Sequence, residues 1–241
     1  MLIPFCVLAC KNMFLQLFIF EFLPCLQPRW RRLNLTLWVV WGGFAFSYFA
    51  TILTITRIFD KDDDGRIDFD YVAIFISSAS EFFGTALAIT LVDRIGRIKA
   101  LVGTLLVGGS SMFVACVLKD NLTWSTMVFF AFLSRASEMA AICLTWIITA
   151  ELLSTDMRST GHAAANSVAR FGAFLSPFLV NQGDLWVVGT CLIVVSIVAA
   201  VFGCTLPETH GIELGKAIIL EEEEEIRRIE SGLSPRSRGL W

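Results

Sequence analysis

Apolar residues along this chain neither alternate nor recur in narrow helical stripes; they run together. Six stretches, 33–56, 71–92, 100–118, 124–150, 159–183 and 185–206, stay almost wholly apolar. About 20 residues of helix cross a hydrocarbon core about 30 Å thick, so each stretch predicts a membrane-spanning α-helix. The connectors are short, which makes neighbouring spans antiparallel. The expected fold is all-α, a polytopic membrane helical bundle of six transmembrane helices over residues 29–206. Segment 1–28 is apolar too, but Lys11, Asn12, Gln16 and Glu21 interrupt it. It reads as a further span, an interfacial helix, or sequence from a truncated or misread gene start. It lacks the basic residues that open a secretory signal.

Composition changes the picture only by exclusion. At 56% hydrophobic and 17% charged residues, the chain lies far from the roughly 45–50% and 25% of soluble domains. It is also too rich in Phe, Leu, Ile and Val to stay disordered. The net charge of −3 belongs to the tail 207–241, which has eight acidic and five basic residues; the rest balances at 14 against 14. No basic surface is left for nucleic acid. Seven cysteines lie in apolar runs without a CxxC pair and read as buried free thiols. Basic residues also orient the bundle. With Arg29, Arg31 and Arg32 inside, twelve Lys or Arg fall on the cytoplasmic side and four (Arg57, Lys61, Arg66, Lys119) outside. Both ends of the six-helix unit are then cytoplasmic.

Three connectors on that side carry patterned charges. The first reads Asp93-Arg94-Ile95-Gly96-Arg97, where glycine permits a very tight turn between spans. The second runs from Glu151-Leu152 through Thr155 and Arg158 to Gly161, and the third is Leu206-Pro207-Glu208-Thr209-His210-Gly211. A DRxGR turn, an ELxxTxxRxxG connector and a terminal LPETxG in this order resemble the C-terminal half of a major facilitator superfamily transporter. Further segments resemble the organic cation/anion and synaptic-vesicle-glycoprotein-related branch: Arg29-Trp30-Arg31-Arg32, Leu37-Trp38-Val39-Val40-Trp41, Phe46-Ser47-Tyr48, Ser80-Glu81-Phe82-Phe83-Gly84, and Arg170-Phe171-Gly172-Ala173 before Ser176-Pro177. Ser154 stands where that family usually has Pro, and His210 where it has Lys. The resemblance implies one half of a twelve-helix fold, and a cytoplasmic gate built from Asp93, Arg94, Gly96, Arg97, Glu151, Arg158 and Glu208.

Charges inside spans stand on physics as well. A charge in hydrocarbon costs about 2.5–3.5 kcal/mol on insertion scales, so it normally faces a cavity or a partner. Glu81, Arg135, Glu138 and Arg170 are therefore the candidates for a substrate or coupling-ion path. Arg135 and Glu138, three apart, share a helix face and could instead pair with each other. Arg170, close to Ser176-Pro177 where a helix can bend, leans towards helix packing.

The outer loop Asp60-Lys61-Asp62-Asp63-Asp64-Gly65-Arg66-Ile67-Asp68-Phe69-Asp70-Tyr71 follows a calcium-loop spacing: Asp60, Asp62, Asp64 and Asp68 at positions one, three, five and nine, Gly65 at six. Tyr71 replaces the bidentate Glu at twelve, and Asp70 comes one residue early. The loop is either a solvated acidic connector or a weak, millimolar Ca2+ site.

No catalytic constellation or phosphate loop appears, so neither an enzyme nor an ATP-driven pump is expected, and no resident cofactor. The expectation is secondary transport of a small organic solute, charged in one reading, by alternating access. The implied partners are the lipid bilayer and either a missing N-terminal half or a second copy. The alternatives are a transport-dead truncated fragment and a calcium-responsive membrane regulator acting through loop 60–71.

Overall fold

The computed structural model describes residues 25–27, 30–63 and 66–208. The expectations placed on segment 1–24, on Arg29, on His210 and on the tail from 209 onward lie outside the described residues. Among the described residues, six helices are long and apolar enough to cross a membrane: α1 (Arg31–Ile58), α2 (Tyr71–Arg94), α3 (Arg97–Val117), α4 (Trp124–Leu152), α5 (Thr155–Gln182) and α6 (Leu185–Cys204). Several run a residue or more past the apolar stretch that announced them, because helix geometry continues until a cap or turn stops it. The expected six-helix, all-helical bundle is present, with one addition. Strands β1 (Asp60–Asp63) and β2 (Arg66–Phe69) make an antiparallel hairpin between α1 and α2.

Contacts order the helices in two layers. Along the first, α2 packs on α4, α4 on α1, and α1 on α5; behind them α3 packs against α4 and α6, and α6 against α1. Between membrane helices the driving force is close packing of small residues, and the seams show it. A Cβ on Gly172 of α5 would stand 2.6 Å from the Gly42 carbonyl of α1, and one on Gly43 would stand 2.9 Å from Ala199 Cβ of α6. A Cβ on Gly84 of α2 would collide with the Ala136 carbonyl of α4.

Several polar groups along the helices are satisfied locally, as an apolar surround favours. Pro177 lacks the N–H that would reach the Ala173 carbonyl, and Ser176 Oγ donates to that carbonyl instead, at 2.8 Å. Thus α5 passes through Pro177 without ending. At the hairpin end of the bundle, Arg57 of α1 donates to the carbonyls of Val180 and Gly183, both at 2.5 Å, capping the C-terminus of α5. Cys116, Cys143, Cys191 and Cys204 are free thiols.

Candidate functional site

Near the middle of the first layer, three helices bring charged and polar groups to one point. Arg135 of α4 forms an ion pair with Glu81 Oε1 of α2, and its other terminal nitrogen donates to Ser78 Oγ at 3.2 Å. Tyr48 of α1 donates its hydroxyl to the same Glu81 oxygen at 3.0 Å. Arg135 is enclosed, with 9% of its side chain exposed, whereas Glu81 keeps 30%. The carboxylate is thus the accessible member of the pair. Buried arginine beside a half-open carboxylate is an arrangement that can meet a charged or hydrogen-bonding solute while its own charge remains compensated.

Two sequence expectations need correction here. Arg135 and Glu138 do not pair: α4 lies between α2 and α3, and the two side chains leave for different neighbours. Glu138 is 1% exposed and lies against Gly108 of α3, away from the Glu81 cluster. Arg170 does not serve helix packing. It is exposed on α5 beside exposed Phe171 and Phe174. Tyr48 and Ser78 complete the cluster and were not singled out from sequence. A mid-span tyrosine in a chain with two tyrosines is the signal that could have found one of them, since a buried phenol seeks a partner.

About two turns from Tyr48 along α1 and about four from Arg135 along α4, the Trp41 indole donates to Thr149 Oγ1 at 2.9 Å, and Thr149 in turn donates to the Thr145 carbonyl at 2.7 Å. The rings of Trp41, Trp146 and His162 gather with centroids 5.0 to 5.5 Å apart. This aromatic cluster ties α1, α4 and α5 together.

The second site is the end of the bundle that carries Gly96. There φ is +95°, which only glycine adopts easily. The turn sets the α3 N-terminus against Glu208, whose carboxylate accepts from the backbone N–H of Arg97 (2.9 Å) and of Ile98 (3.2 Å). A carboxylate at a helix N-terminus satisfies orphan donors and the helix dipole together. Arg97 reaches back to Glu151 at the end of α4 with a 3.3 Å ion pair. So Gly96, Arg97, Glu151 and Glu208 converge. Asp93 and Arg94 stay exposed, and no bond among the described residues joins them to that group. Arg158 instead donates to the Leu153 carbonyl at 3.5 Å, within its own connector.

At the opposite end, the hairpin pairs Asp60 with Phe69, Lys61 with Asp68, Asp62 with Ile67 and Asp63 with Arg66. Asp64 and the side chains of Asp60, Asp62 and Asp68, the candidate calcium ligands, lie outside the described residues. Asp70 is committed: its Oδ1 accepts from Ala73 N–H at 3.1 Å as the N-cap of α2, and its Oδ2 from the Trp124 indole at 2.9 Å.

Comparison with known proteins agrees with this architecture. The profile of the family described as sugar (and other) transporter matches residues 30–218. The chain is 29% identical over 223 residues to organic cation/carnitine transporter 7 of Arabidopsis thaliana, covering 85% of this chain and 43% of that protein. It is 26% identical over 210 residues to a synaptic vesicle 2-related protein of Xenopus laevis (77% and 37% covered). With solute carrier family 22 member 3 of Mus musculus it shares 27% identity over 195 residues (79% and 34% covered). The chain thus spans about two fifths of the length of these relatives. Six spanning helices, the Gly96 turn capped by Glu208 and the profile match make this multi-pass membrane chain a member of the sugar (and other) transporter family of the major facilitator superfamily, on the side of its organic cation transporter and synaptic vesicle 2-related members.

Proposed function

We propose that this chain is one six-helix wall of a secondary transporter that moves a small organic solute by alternating access. The observation that carries the reading is the Tyr48–Glu81–Arg135 cluster, a mid-span charge pair whose carboxylate remains accessible. The name of the Arabidopsis relative points the same way, towards organic cations and carnitine. The Arg97–Glu151–Glu208 group is proposed as the gate on the cytoplasmic side, where the count of basic residues puts both ends of the unit. A path between two bundles needs a second wall. We take it to be either another six-helix unit of the same transporter or a second copy of this chain. Such a wall would also cover the exposed aromatic side chains of α2 and α5.

Uptake of labelled small organic cations, zwitterions and anions into liposomes holding the chain, with its oligomeric state measured in parallel, tests the reading. Saturable uptake that is lost in Glu81→Gln and in Arg135→Gln, both still inserted, is the expected result for the assembled form. Saturable uptake unaffected by Glu81→Gln would remove the site. A stable monomer that moves solute would remove the need for a second wall.

A further inference from the structure

The proposed path makes no use of Glu138, the one acidic side chain among the described residues that is buried to 1%. Its surroundings are neutral. On α3 it lies over Gly108, where a Cβ would stand 3.2 Å from Glu138 Oε1 and 3.3 Å from Cγ. Glycine therefore leaves the space that this carboxyl occupies. Ser134, one turn back on α4, gives its hydroxyl hydrogen to the Gly108 carbonyl at 3.1 Å. Glu138 Oε2 has no hydrogen-bond partner.

Among the described residues, no cation stands by to compensate a charge. Arg135, three residues back, is held by Glu81 and Ser78 of α2. The charged residues of α3 are Arg97 and Lys99, more than two turns before Gly108 along the helix. α6, which packs behind Gly109 with Ser196, contains no Asp, Glu, Lys, Arg or His. α1 directs Tyr48 to Glu81. The other titratable groups of α3, α4 and α6 are Glu151, at the far end of α4 and paired with Arg97, and the thiols of Cys116, Cys143, Cys191 and Cys204.

An ionised carboxylate in such a place would be desolvated without compensation, among the most unfavourable groups a fold can contain. A neutral carboxyl avoids that and acquires an O–H, with the Ser134 hydroxyl oxygen one turn away as an acceptor. We infer that Glu138 is a proton-binding site in the seam between α3 and α4, which holds its proton in this packing and exchanges it with water only when the seam opens. The proton then favours the closed seam, and any transport step that parts α3 from α4 is linked to proton release. That last link rests on the transport reading; the bound proton does not.

The test is infrared spectroscopy of the whole chain in liposomes, labelled with 13C-glutamate, at neutral pH. The expected result is a protonated-carboxyl C=O band that shifts with the label and disappears in Glu138→Gln. A spectrum without such a band, or a band untouched by the substitution, overturns the inference. Gln is an isostere of the neutral acid, so Glu138→Gln should fold and melt no lower than the parent. A Gln variant that fails to fold, or melts as low as Glu138→Ala, also overturns it. Uptake measured across pH separates the two readings. Expected is a pH dependence that flattens in Glu138→Gln. A Glu138 band in a dimer of the chain that shows no uptake leaves the proton site standing and removes the reading in which a second copy completes the transport path.

Discussion

Arg135 decides where the chemistry of this bundle gathers, and it does so through a choice between two carboxylates. Within the chain Glu138 is the nearer, three residues on and on an adjoining face of the same helix. In the fold the choice falls on Glu81, 54 residues away in sequence. The reason is the position of α4, which presents Arg135 to α2 and Glu138 to α3. Sequence alone shows that mid-span charges need partners, and the depth at which they lie. It cannot show which helices flank α4, so it leaves the pairing open. The pair predicts a thermodynamic coupling. Removing either charge strands the other in a largely enclosed place, which costs about 3–5 kcal/mol when fully buried and roughly 2–3 kcal/mol with Glu81 part-exposed. Arg135→Gln and Glu81→Gln should each lower the unfolding free energy by that amount, and the double variant by clearly less than their sum. Thermal or denaturant unfolding of the four proteins in one detergent measures it, and strict additivity would show that the pair is incidental.

Helix ends and helix seams separate what was legible from what was not. The tight turn at Gly96 was readable, because a glycine between charges at a span boundary has few other uses. Glu208, 111 residues after Arg97, was readable only as a patterned charge. Its work as the N-cap of α3 depends on the last helix returning beside the third. Glu208→Ala should therefore speed hydrogen exchange at the amides of Arg97 and Ile98, with a loss of about 1 kcal/mol, the usual worth of a cap. Exchange unchanged at those two amides would mean that the cap does not form. The hairpin end has its own version in Asp70, which belonged to the sequence pattern of a cation loop and in the fold caps α2 while binding Trp124. In the seams, glycines differ by what faces them. Gly172→Ala presses a methyl onto the Gly42 carbonyl and should cost about 1–3 kcal/mol. Nothing lies within 4 Å of a Cβ at Gly103, so Gly103→Ala should be neutral or stabilising by up to about 1 kcal/mol. Melting curves of the two variants should move in opposite directions or differ by at least that gap.

Across the whole molecule, the exposed side chains of the described residues differ from helix to helix. Past Trp186 at its start, the large exposed side chains of α6 are aliphatic, Val194, Ile197, Val198 and Val201, as suits contact with lipid tails. On the first layer they include aromatics at Phe82, Phe171 and Phe174, the half-exposed Trp146, and the charge of Arg170. A guanidinium exposed in mid-span is not stable against hydrocarbon; it requires water or a polar partner. The first layer should thus line an aqueous path, and α6 should not. With the native cysteines replaced by serine, Arg170→Cys and Trp146→Cys should react with a membrane-impermeant thiol reagent in intact liposomes, and bound solute should slow the reaction. Val194→Cys and Val201→Cys should stay unlabelled until detergent dissolves the bilayer, because a thiol surrounded by acyl chains neither ionises nor meets the reagent. Equal protection at 170 and 201 would place both faces in lipid and leave Arg170 without water, which the energy of a bare charge does not permit in a stably inserted monomer. In that event the cover over Arg170 must be protein, and cross-linking from position 170 would identify it.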